Sequence, residues 1–207
     1  MNKNALPLRL GSAALAALAG LTPLAPLAAI DFTPRTEEIN FPDGSSIERR
    51  YFVDGNKFYL INLAPNSELT GDSGVARFQF RDLRGATAQM RASPDYYSFA
   101  EDHLDALLRL AESFAPPGTT PDGEWESTSN FLHLPHLPNH GLSRSYKLPG
   151  GTVRQSVVFI NFTEKQQILL ILTAFAEEFP KALERTTGIV GSLREITKAE
   201  LQASPIN

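Results

Sequence analysis

The chain has 207 residues, 19 Lys and Arg against 23 Asp and Glu, 42% hydrophobic residues and no cysteine. Without cysteine, thiol nucleophiles, Cys-ligated zinc and iron–sulfur clusters are excluded. Mild acidity with no block of Lys or Arg argues against nucleic acid or an anionic lipid surface as partner.

Residues 1–29 have the layout of a secretory signal peptide. Lys3 and Arg9 make a positive start, residues 12–21 (SAALAALAGL) form a short apolar core, Pro23 and Pro26 break it, and Ala28 and Ala29 precede the cut. Leu27 sits where a small residue is preferred. The apolar run is shorter than the roughly 20 residues that a membrane span needs. Cleavage near Ile30 is therefore expected, leaving one domain over residues 30–207 in the periplasm or outside the cell, not embedded in a membrane. That length can bury a core without disulfides.

Residues 31–63 read as antiparallel strands. Turns are predicted at PDGS (42–45) and DGN (54–56), because Asp-Gly between apolar runs suits a hairpin. A polar loop is expected over 64–74. Residues 75–83 alternate, with Ala76, Phe78 and Phe80 inward and Arg77, Gln79 and Arg81 outward, as in a half-buried strand. Ser98 and Glu101 have capping-box spacing. Behind them Leu104, Leu107, Leu108, Ala111 and Phe114 recur at helical steps, and PPG (116–118) stops the run. Further extended segments follow at 124–134, 141–148, 152–162 and 166–175. The last, QQILLILTAF, is apolar on both faces and belongs in the middle of a sheet. A final helix places Phe179, Leu183, Thr186, Val190 and Leu193 on one stripe, with Pro180 in its first turn. The order implies an α+β domain, an antiparallel sheet flanked by two main helices.

Chemical motifs are few. GDSG (71–74) matches the serine-protease nucleophile motif over four residues, but no histidine precedes His103, and the composition suits a turn. Three of the four histidines lie in FLHLPHLPNHG (131–141). Pro135 and Pro138 forbid a continuous helix, so His133, His136 and His140 cannot present a helical metal face. They are the metal candidates only if a loop gathers them, with Asp122, Glu124 or Glu126 as a further ligand. The plainer reading is a proline-stiffened connection whose leucines pack inward while its histidines face water. Trp125, the sole tryptophan, either anchors a strand on a helix or, with His136, contacts a partner. Arg77, Arg81, Arg84 and Arg91 form a loose basic run, read as a solvated face.

The ending, residues 157–196 (VVFINF through SLREI), resembles the PsbP/DcrB-like family: a hairpin, a long apolar strand, then a helix closing on Ile189-Val190-Gly191-Ser192-Leu193. The resemblance implies a PsbP-like sandwich and a non-enzymatic role in binding or assembling other proteins, and it carries over no functional residue. The sequence thus points to a secreted or periplasmic module that acts through contact with a protein partner and has no cofactor. The alternative is a small-ligand or metal-binding protein using the loop over 122–141. On either reading residues 124–140 are expected to be replaceable by a short linker without loss of the fold.

Overall fold

The computed structural model describes residues 30–41 and 43–203. The leader expected over 1–29, and Pro42 of the first expected turn, lie outside the described residues. Eleven strands and three short helices follow in the order β1 (Asp31–Asn40), β2 (Ser46–Asp54), β3 (Lys57–Ile61), β4 (Ser67–Asp72), β5 (Val75–Phe80), β6 (Thr87–Ala92), α1 (Leu104–Glu112), β7 (Thr120–Ser129), β8 (Asn139–Leu148), β9 (Gly151–Asn161), β10 (Gln167–Phe175), α2 (Phe179–Gly191), β11 (Arg194–Ile196) and α3 (Lys198–Gln202). A four-stranded sheet has the order β1-β2-β3-β11, and a seven-stranded sheet the order β4-β5-β6-β10-β9-β8-β7. Every strand pair is antiparallel.

The expected fold class is therefore corrected. The domain is mostly antiparallel sheet in two layers, not a single sheet flanked by two main helices and not the PsbP-like sandwich that the resemblance implied. Three readings caused the difference. Residues 64–74, taken as loop, contain β4, and residues 87–92 form β6. The first helix is shorter than its stripe. Residues 101–103 form a 3-10 turn, and Ser98 Oγ accepts from the Ala100 amide instead of closing a box with Glu101. Beyond that, β1, β2 and β3 build their own sheet with β11, and that sheet does much of the covering expected of a helix.

β10 holds the centre. Ile168, Leu170, Leu172 and Ala174 point to one face, Leu169 and Ile171 to the other, and all are buried. Leu170 lies between Met90 of β6 and Val158 of β9. The small sheet covers this face through Phe32, Phe52 and Tyr59, and α2 through Phe179, Ala182 and Ile189. On the opposite face α1 lays Leu107 and Ala111 over Val157, Phe159 and Leu169. α2 is tied down at its middle and at its C-terminal cap. Arg185 donates both guanidinium nitrogens to Asp82 at 2.5 and 2.6 Å, and Ser192 Oγ accepts from the Asn62 amide at 2.8 Å. The Asp-Gly turn after β2 places Gly55 at φ +56°, a conformation that most side chains resist.

Leu170→Ala leaves a cavity that β6 and β9, fixed by their own ladders, cannot collapse into. A loss of about 2–5 kcal/mol in unfolding free energy is expected from urea titration. A loss well under 1 kcal/mol would mean that β10 is not the packed centre.

Candidate functional site

β7 is the last strand of the large sheet, and among the described residues no strand bonds its outer edge. Its two halves differ. The first carries Pro121 and a register irregularity between Asp122 and Glu126, with Gly123 at φ +93°. Asp122 pairs with Lys147 at 2.9 Å. Such devices keep an edge from pairing with another chain. The second half is regular: Glu126 faces Ser143, Ser127 faces Leu142, Thr128 faces Gly141 and Ser129 faces His140. Residues 126–129 are all exposed.

The direction of the free backbone groups follows from one bond. The Asn130 amide donates to the Asn139 carbonyl at 2.7 Å. Hydrogen-bonded and non-bonded pairs alternate along an antiparallel ladder. Glu126 and Thr128 therefore bond β8, and the N–H and C=O groups of Ser127 and Ser129 point away from it.

Beside this edge runs a cleft of about 420 Å³ between β7 and the start of α1. Phe99, Leu104 and Leu107 wall it on the helix side, and Ser127, Ser129 and His140 on the sheet side, with Glu101 also in the lining. Trp125 sits further along the same face. It packs edge-on to Tyr146 at 6.4 Å under the Arg144 guanidinium. Arg144 in turn donates to the Gly123 carbonyl at 2.8 Å and holds the bulge.

The three histidines are not gathered. His133 and His136 are exposed on the connection between β7 and β8, while His140 is 7% exposed on β8. Among the described residues no three His, Cys, Asp or Glu side chains are placed to hold one ion. The connection packs Leu132 and Leu137 into the core under the small sheet and sets Leu134 against Gly191. Trp125 belongs to the opposite face, so Trp125 and His136, both candidates for partner contact, do not share a surface. Residues 122–141 are not a removable loop either. They contain most of β7, the buried His140, and Asn139, whose side chain accepts from the Leu132 amide and donates to Asn130 and the Leu137 carbonyl. Gly141 is required by contact, since a Cβ there would meet the Phe131 ring at 2.4 Å. GDSG is the turn between β4 and β5, where Asp72 accepts from the Gly74 and Val75 amides.

Sequence reasoning missed the pairing of Ser127 with His140, whose Oγ and Nε2 lie 2.8 Å apart. Thirteen residues separate them, and only the hairpin register brings them together. Burial pushes the imidazole below its ordinary pKa and favours the neutral ring, which carries a single N–H. Nδ1 is buried with no partner among the described residues. A buried N–H without a partner is rarer than an unsatisfied acceptor, so the proton is assigned to Nε2, donating to Ser127 Oγ. A serine nucleophile needs the opposite: Nε2 accepting, with Nδ1–H held by a third group. The pair ties β7 to β8. The His140 ring lies against Phe99, centroids 5.6 Å apart.

No family model and no curated protein matches the chain. Among the described residues no helix is long and apolar enough to cross a membrane.

The lowered pKa of His140 sets a pH dependence. The unfolded chain binds a proton at about 6.5, and the folded chain only at lower pH. Between those values the unfolded state holds more protons, so stability falls as pH falls through that window. His140→Gln keeps a donor toward Ser127 but cannot titrate. Its unfolding midpoint, followed from pH 7.5 to 5 relative to wild type, is expected to fall less steeply below about pH 6.5. Equal slopes would contradict the buried, neutral assignment.

Proposed function

We propose that this chain is a secreted or periplasmic module that binds or helps assemble another protein, acting through its surface without catalysis or a cofactor of its own. The observation that carries the reading is the open half of β7 beside the cleft under α1. An exposed edge is a template for pairing with another chain, and edges without such a use are usually blocked. Here blocking devices occupy residues 121–125 and give way to exposed Ser127, Thr128 and Ser129. The Ser127–His140 assignment supports a role other than hydrolysis. Processing near Ile30 and an extracytoplasmic location are part of this reading, on the residues of the leader.

The test uses the full chain, tagged at its C-terminus and recovered from the extracytoplasmic fraction of its own host. N-terminal sequencing is expected to start near Ile30. A partner protein is expected at comparable molar amount, reduced about tenfold or more by Ser129→Arg, which fills the cleft mouth, with the unfolding midpoint little changed. Recovery of intact Met1, or of no protein at stoichiometric level, would contradict the reading.

A further inference from the structure

We infer that residues 126–129 of β7 take up an extended, basic segment of the partner as an added strand, with one of its apolar side chains seated in the cleft between β7 and α1. This rests on the protein-contact reading above and specifies its chemistry. Strand addition demands outward backbone groups in β geometry, and Ser127 and Ser129 present them on a regular stretch of ladder. The side chains on that side are two serines, which leave room for a neighbour. The cleft of about 420 Å³ then offers Phe99, Leu104 and Leu107 to a side chain arriving from the new strand.

Charge selects the occupant. Glu101 lines the cleft, and Asp105 and Glu124 are exposed on α1 and β7. Among the described residues no cation lines the cleft: Arg154 holds Glu126 at 2.5 Å, Arg144 donates to the Gly123 carbonyl, and Arg109 is exposed further along α1. Glu101 is therefore the one formal charge among the described residues of the cleft lining, and Lys or Arg beside the apolar residue of an incoming strand matches it. A second copy of this chain fits worse. β7 of a second copy contains no Lys or Arg to meet Glu101 and would add its own Glu126 instead.

The probe is a capped peptide about nine residues long that alternates Lys with Val. Binding to the full-length processed protein is followed by the fluorescence of Trp125, the sole tryptophan, and by amide exchange. Saturable binding is expected, with new protection at the Ser127 and Ser129 amides. A Glu-for-Lys peptide should bind about tenfold more weakly or worse, and so should the Lys peptide to Ser129→Pro, which removes an outward N–H but no bond to β8. Ser129→Ala, which keeps that N–H, should bind as wild type. Equal binding by Ser129→Pro, equal or tighter binding of the acidic peptide, protection elsewhere than β7, or no binding of the Lys peptide would each overturn strand addition. So would a β7-linked dimer. The wild-type protection pattern decides the matter even if Ser129→Pro does not fold. A stoichiometric natural partner indifferent to Ser129→Pro would overturn strand addition while leaving the contact reading standing. Failure to recover any partner would count against the contact reading instead.

Discussion

Everything in this domain answers to one constraint: β10 is apolar on both faces. Leu169 on one face and Leu170 and Leu172 on the other are all fully buried. A strand of this kind cannot lie at an edge or leave one face to water. β6 and β9 therefore flank it, and each face needs its own cover. The small sheet and α2 supply one cover and α1 the other. β9 repeats the demand with Val157, Val158, Phe159 and Ile160, all buried.

The two covers are unequal, and the candidate site is a result of that inequality. The four-stranded sheet, α2 and the leucines of the connection form a broad layer on one face. On the other, α1 has nine residues and reaches only part of the sheet. On its β5–β6 side that face is closed by polarity, with Arg77, Gln79, Gln89 and Arg91 exposed to water. On its β7 side a cleft remains, floored by a buried histidine and bounded by an open strand edge. His140 is tolerable there because one ring nitrogen reaches Ser127 and the ring face meets Phe99. The same bond fixes the half of β7 that lacks blocking devices, so that the edge is open yet ordered. A rigid edge loses less entropy when a strand is added than one that must first be assembled.

The parts of this architecture that were legible in the sequence were those with strong periodicity. The alternation of residues 75–80 and the two-faced apolar run of β10 state their burial directly, and so does the stripe of α2 at Phe179, Thr186 and Val190, although Leu183 is half-buried and Leu193 lies past the helix end. β7 does not. Eight of its ten residues are exposed, and an edge strand with few inward side chains has the composition of a loop. Its identity comes from pairing with β8, which is non-local. The capping box shows the limit of a local motif. Ser98 and Glu101 have the spacing, yet the box forms at Thr197 and Glu200, where the TKAE signal was equally readable. His140 illustrates the same limit. Grouped with His133 and His136 by sequence, it is separated from them by the turn into β8, which puts alternate residues on opposite faces.

The central claim is that the Ser127 and Ser129 backbone groups of the free protein face outward without a partner. Residue-resolved amide hydrogen exchange of the processed chain tests it most directly. The account predicts that the Ser127 and Ser129 amides exchange orders of magnitude faster than those of Glu126 and Thr128, and that the β9 and β10 amides are the slowest of all. Protection of Ser127 and Ser129 equal to that of Glu126 and Thr128 would mean that the edge is already covered, and the account would fail.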